Sequence, residues 1–334
     1  METIIDGAIL LDFFKNQPER IPVGTEHENH LWNSFWSFLK SKTNLDVRNY
    51  DPANVFQEAF FKSLTTGRGD SKITISNASP IHNEGVIVSK KPSSFYCLNE
   101  DSEADIKLME DKNGFVVAFQ ETYKKHWAQL SLLNLDTTLS VRKDAYIKTN
   151  EFSSWSQLGD YLSKFTDVVI VDNYIFSSNE LIPSNFEKIL IELGKATPIQ
   201  FNLTIYTFEG SDKYKINGKS LMRQINSIVE ENKINCNIQL IIADGRVKEH
   251  DRGIFTNYLR IKSGDSFNYF DSHGEVISKG TDIDFVSLTE PNARDAAKNV
   301  LGKLNQNIKQ LKTVNRLIPN IYGECNNLLL TQFD

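Results

Sequence analysis

The side chains best suited to chemistry lie within residues 236–271. There the chain runs Glu249-His250-Asp251-Arg252, passes Asn257, and continues Lys262-Ser263-Gly264-Asp265-Ser266-Phe267-Asn268. In an extended strand an imidazole two residues from a guanidinium shares a face with it, because side chains alternate. That pair suits phosphate. The imidazole can attack phosphorus or carry a proton, and the permanent cation stabilises charge on the equatorial oxygens. Arg246, Lys248, Arg260 and Lys262 add local positive charge, so the ligand to expect is an anion. Asn257 has the opposite parity from Arg252 in an unbroken strand and joins it only if a bulge or a strand end re-aims it. Two further readings stay open. The His-Asp-Arg cluster can be an ion-paired turn, with Asp265 closing on Arg252, and Tyr258, Phe267 and Tyr269 can stack on bases or fill the core.

The elements that must position these residues follow a regular order after residue 155. The spacing predicts strands over 168–171, 199–208 and 238–243, with helices over 184–196 and 219–232 between them. This βαβαβ series implies parallel strands and helical crossovers. Beyond it, strands are expected over 252–262 and 267–271, meeting at a Ser-Gly-Asp turn, then a strand over 283–288 and a closing helix over 292–312. Serine-rich, polar residues 148–156 mark a boundary. Before it, residues 1–50 read as helical and aromatic, with a helix over 26–41, and a second helix is expected over 51–65. Strands over 72–76, 85–88 and 115–119 and a helix over 102–112 make this region mixed, without a derivable topology.

Composition excludes several classes. With 37 basic against 43 acidic residues in 334, no global cationic field draws the chain to nucleic acid or an anionic membrane, so such a contact must use a local patch. Three dispersed cysteines without a CxxC read as reduced thiols. The first residues lack the cationic region of a signal peptide, and no apolar run approaches the length of a membrane span, so a cytoplasmic protein without a transmembrane segment is expected. No metal or cofactor is expected either. His27 and His30 form an HxxH without a third ligand, Glu121 and Lys124 are one residue too far apart for a metal-dependent nuclease pair, and Gly67-Arg68-Gly69-Asp70 lacks the GK[ST] of a phosphate loop.

From His250 the chain reads HDRGIFTNYLRIKSGDSFN. This resembles the phospholipase D superfamily signature HxKxxxxDxxxxxxGSxxN, with His250, Arg252, Asn257, Gly264, Asp265 and Asn268 on its six fixed positions, three of them with the family's residue. The HDR form looks especially like the C-terminal phospholipase D-like domains of some MIT-domain proteins and of bacterial phage-defence relatives. The resemblance covers residues 155–315 and implies for them an α/β phospholipase D-like half, a mainly parallel sheet with flanking helices; outside it lie the mixed α+β domain read over 1–150 and a tail over 316–334. It implies His250, Arg252 and Asn257 as catalytic positions, surrounded by the ligand-binding candidates Lys248, Asp251, Lys262, Ser263, Gly264, Asp265 and Asn268. Family enzymes need two such histidines, and no other histidine here has Lys or Arg two residues on, so activity implies a homodimeric, metal-independent phosphodiesterase or nuclease. The arginine keeps the cation and offers a planar fork. The asparagine removes a charge that would support the imidazole. The alternative is a non-catalytic module that binds nucleic acid, another phosphodiester or a protein partner in a defence complex.

Overall fold

The structure, a computed structural model, describes the chain apart from residues 18–25, 51–58, 60–61, 77–79, 89, 100–101, 120–135, 144–150, 211–215, 246, 248–250, 314–319 and 333–334, and apart from the side chains of 26–28, 103 and 116–119. It divides into two compact units: Met1–Asn134 with Leu288–Arg294, and Leu135–Ser287 with Asp295–Asp334.

The first unit is built on five strands, β1 (Glu2–Asp6), β2 (Asn44–Arg48), β3 (Ile73–Ser76), β6 (Ser94–Leu98) and β7 (Val116–Phe119), in the order β3-β2-β1-β6-β7. Every neighbouring pair is parallel. All five residues of β6 are buried, as a strand covered on both faces requires. The order reverses at β1, the mark of a doubly wound sheet. Two-residue strands β4 (His82–Asn83) and β5 (Val86–Ile87) pair only with each other, so the strand expected over 85–88 is a small hairpin outside the main sheet. Helices α1 (Gly7–Lys15), α2 (Glu26–Ser37) and α3 (Glu103–Asn113) complete the unit, α2 passing into a π-turn at Phe38–Lys42. Most of the helix expected over 51–65 lies outside the described residues.

Arg68, between Gly67 and Gly69 at φ 74° and 60°, is a buried clamp. Its guanidinium donates to the carbonyls of Leu39 (2.7 Å), Thr43 (2.8 Å), Ser71 (3.2 Å) and Lys72 (3.3 Å). No phosphate is needed to explain this arginine. The planar fork ties the π-turn to the entry of β3.

The second unit holds an eight-stranded sheet. β9 (Asp167–Val171), β10 (Phe201–Phe208) and β11 (Cys236–Ala243) are parallel and are separated by α4 (Phe186–Ala196) and α5 (Gly218–Glu231). The expected βαβαβ core is therefore present. β12 (Gly253–Phe255) returns to the far side of β9, antiparallel to it, and β13 (Leu259–Ser263), β14 (Thr281–Ser287) and β8 (Thr137–Val141) extend the sheet from there. The helix α6 (Pro291–Thr313) follows, with Leu301, Leu304 and Ile308 buried.

Three further expectations are corrected. The strand over 252–262 is a hairpin, because Thr256 makes a turn: its Oγ1 accepts from the Tyr258 and Leu259 amides and its own N–H donates to the Leu259 carbonyl. Residues 267–271 are not a strand. Only Phe270 forms a bridge, with Val276, and side chains serve the backbone instead: Asn185 Oδ1 accepts from Phe270 N and Asn185 Nδ2 donates to Phe270 O. The segment expected as a tail contributes β15 (Ile321–Gly323), antiparallel on β11, and α7 (Leu328–Thr331), capped by Asn327.

Arg68→Ala is expected to lower stability by about 3 kcal/mol, because it strands buried carbonyl oxygens and opens a void. Denaturant unfolding followed by a probe in the first unit checks this; a midpoint unchanged from wild type contradicts the clamp.

Candidate functional site

In open α/β sheets ligands gather outside the carboxyl ends of the strands, where the strand order reverses. In the second unit that place is the carboxyl end of β9, because β10 leaves on one side and β12 returns on the other. Asp172 stands there. Its N–H continues the ladder by donating to the Tyr206 carbonyl, so it lies level with Thr207. Arg252, one residue before the Gly253–Val171 pair, is level with Asp172, and Ser263 is level with Arg252, its N–H donating to the Arg252 carbonyl at 3.4 Å. A polar row, Ser263, Arg252, Asp172 and Thr207, thus crosses the carboxyl edge of an otherwise apolar sheet.

Asp172 is 1% exposed and fully engaged. Oδ1 accepts from Tyr174 N (2.8 Å); Oδ2 accepts from Ser266 Oγ (2.8 Å) and Phe267 N (2.7 Å). One carboxylate therefore fixes both the turn after β9 and the loop after β13. Burial pushes its pKa above the ordinary value, opposed by these hydrogen bonds and by the nearby charge of Arg252.

Arg252 has a different environment. Nη1 donates to the Gly264 carbonyl at 3.0 Å, and the guanidinium carbon lies 5.7 Å from the centre of the Tyr174 ring. Nε is buried and has no hydrogen-bond partner among the described residues. Asn268 donates through Nδ2 to the Tyr174 carbonyl at 2.8 Å, and its Oδ1, an acceptor, is buried and unmatched among the described residues. Unsatisfied buried donors are rare and costly, and the Arg252 N–H suits a ligand oxygen. Thr207 Oγ1, fully buried beside Asp172, is also unmatched.

The structure gathers some sequence candidates here and separates others. Arg252, Ser263, Gly264 and Asn268 lie together; Asp265 caps the loop, with Oδ1 accepting from Ser266 N, and Arg252 bonds the Gly264 carbonyl instead of pairing with it. Lys262 has the opposite parity and pairs with Asp284 at 3.4 Å. Asp251, also of opposite parity, acts on the buried Arg260. His250 and Lys248 lie outside the described residues, as does the Glu121–Lys124 segment.

Asn257 is at the other end of the sheet. It is fully buried in the turn between β12 and β13, and its Oδ1 accepts from Thr166 N (2.8 Å) and Asp167 N (3.1 Å), where β9 begins. Since β9 is five residues long, this is about 15 Å from Arg252 at ~3.3 Å per residue. The strand break re-aims Asn257 as the parity argument required, but away from the arginine. Its neighbour is the buried Asp167 carboxylate, which also accepts from Thr166 Oγ1, Asn202 Nδ2 and Leu328 N.

The aromatic candidates are core. Tyr258, Phe267 and Tyr269 are at most 1% exposed, and Tyr269 stacks on Trp155 with ring centres 5.1 Å apart. Asp172 and Tyr174 escaped the sequence reading, yet a carboxylate directly after the apolar run Val168–Val171 is where a carboxyl-edge site would be sought. Among the described residues no cluster of three or more His, Cys, Asp or Glu could hold a metal, and no helix is long and apolar enough to cross a membrane.

Two predictions follow from the two ends of β9. Asn257→Asp, which supplies the residue the motif has at that position, sets a second carboxylate beside Asp167; it is expected to cost about 1–3 kcal/mol while leaving anion affinity unchanged. Reduced affinity with unaltered stability contradicts this placement. For Asp172, the folded state keeps a proton that the unfolded state releases between 3.8 and its raised pKa. Its contribution to stability is therefore complete below 3.8 and lost as pH rises through that window. Relative to Asp172→Asn, wild type is expected to gain stability as pH falls; urea midpoints over a pH series with parallel trends contradict it.

No protein-family model and no curated protein matches the chain. Among solved structures it is similar to the crystal structure of phosphatidylserine synthase from Haemophilus influenzae Rd KW20, with 10% identity and a TM-score of 0.30 over 60% of this chain. The match spans 41% of that protein, less than half its length.

Proposed function

We propose that the carboxyl edge of the second unit is a phospholipase D-like phosphodiester site, in which Arg252 binds a phosphate oxygen and His250, two residues earlier, is the group that acts on phosphorus. The observation that carries the reading is the buried Nε of Arg252, a donor with no partner among the described residues, on a row braced by Asp172. A guanidinium held through Nη1 by the Gly264 carbonyl keeps its Nε edge for a ligand and loses little freedom on binding. The six-position register of the motif supports the same site. Asparagine at position 257 does not count against it, because that residue serves the far end of β9.

Catalysis asks for more than binding. One chain contributes a single motif histidine, so turnover requires a homodimer that brings two copies of His250 to one phosphate. A monomer with the same site would bind a phosphodiester without cleaving it.

Binding of bis(p-nitrophenyl) phosphate and its cleavage separate the two roles. Arg252→Ala is expected to weaken binding by about 10- to 100-fold, the worth of a charge-assisted hydrogen bond. His250→Ala is expected to abolish any cleavage while leaving binding within about threefold, since it removes the nucleophile and not the cation. Binding unaffected by Arg252→Ala contradicts the site, and cleavage surviving in His250→Ala contradicts the catalytic role.

A further inference from the structure

The surroundings of Arg252 also say what kind of phosphodiester fits. Among the described residues, five large hydrophobic side chains are exposed: Ile75, Val86, Val88, Leu108 and Tyr174. Four belong to the first unit, and Tyr174, the only aromatic, stands on the carboxyl edge of the second, 40% exposed. Its neighbours in sequence and space leave its backbone no freedom. The N–H donates to Asp172 Oδ1, and the carbonyl accepts from Asn268 Nδ2 at 2.8 Å and from Ser177 N at 2.9 Å. Two residues of the anion site therefore pin the backbone that carries this ring, while nearby Phe267, Tyr269 and Phe270 are buried at 3% exposure or less.

We propose that Tyr174 is a stacking platform for a nucleobase, so that the ligand of this site is single-stranded nucleic acid and not a lipid headgroup. The proposal rests on the reading of Arg252 as the phosphate ligand. In a nucleotide one sugar separates phosphate from base, so a protein that holds both needs a cation close to an aromatic ring; the Arg252 guanidinium lies over the Tyr174 ring, 5.7 Å from its centre, and the tyrosine is still 40% exposed. A glycerophosphate headgroup has the phosphate but no planar π face to lay on the ring. Stacking is tolerant of base identity, because every base has such a face. It also removes the need for a strongly basic chain: the net charge of −6 leaves little long-range attraction, and the ring supplies affinity that salt does not screen.

The test compares a fluorescent oligothymidylate of about ten nucleotides, within the usual ~4–16 per site, with an abasic oligomer of equal length, by anisotropy at fixed salt. Tyr174→Ala is expected to weaken oligothymidylate binding roughly 5- to 150-fold, the worth of one stacked base. Binding of the abasic oligomer is expected to stay unchanged, and Tyr174→Phe to retain wild-type affinity because it keeps the ring. Arg252→Ala is expected to weaken both ligands. The stacking role is overturned if Tyr174→Ala leaves oligothymidylate binding intact, if it weakens both oligomers equally, or if wild type does not prefer the base-bearing one. Arg252-dependent binding confined to phosphatidylglycerol vesicles would also overturn it while sparing the phosphate reading. Indifference of every ligand to Arg252→Ala would instead remove the anion site itself.

Discussion

A buried carboxylate, Asp172, holds the carboxyl edge of the second unit together. An aspartate in so dry a place is costly unless its oxygens are fully engaged. It meets that requirement by accepting from the Tyr174 and Phe267 amides and the Ser266 hydroxyl, two from the loop after β13 and one from the turn after β9. Those contacts decide where the Gly264 carbonyl lies, and the Gly264 carbonyl decides where Arg252 points. The parallel core supplies the platform, and this carboxylate, together with the Asn268 Nδ2 bond to the Tyr174 carbonyl, fixes the loop bearing Gly264 and Asn268 relative to β9.

The opposite end of β9 shows the same device used for packing. Asp167 collects Thr166, Asn202 and the first amide of α7, with Asn257 completing the group, and so ties the hairpin turn and the C-terminal segment to the strand origin. Polar residues on one strand thus have two separate duties. A motif read as a single list of residues merges them, whereas the antiparallel return of β12 sets Arg252 at the carboxyl end of β9 and Asn257 at its amino end.

Much of the second unit was legible in sequence because its elements carry strong periodic signals. Val168–Val171 and 238–243 are continuous apolar runs, and α5 buries Leu221, Ile225 and Ile228 at helical spacing. The β12–β13 turn was not, since Thr256-Asn257-Tyr258 contains neither glycine nor proline and its turn depends on a threonine hydroxyl. Residues 267–271 alternate like a strand, but Phe267 and Phe270 are held by the Asp172 and Asn185 side chains, which no local pattern announces, while the Tyr269 and Asp271 backbones bond locally to the backbone of 275–277. In the first unit β1 (Glu-Thr-Ile-Ile-Asp) and β2 (Asn-Leu-Asp-Val-Arg) are interrupted by polar residues and lack the continuous apolar run that marks β9. For the site, residue types at 252, 264 and 268 were readable; the faces of Lys262, Tyr258 and Tyr269 were not, because parity depends on where the strand breaks.

The central claim is that the Nε edge of Arg252 receives a phosphodiester oxygen. A crystal structure of the protein with a bound thymidine dinucleotide tests it most directly. The account predicts a phosphate oxygen within hydrogen-bond distance of Arg252 Nε, at the carboxyl end of β9. A phosphate bound elsewhere, with Arg252 Nε still unengaged, would contradict it.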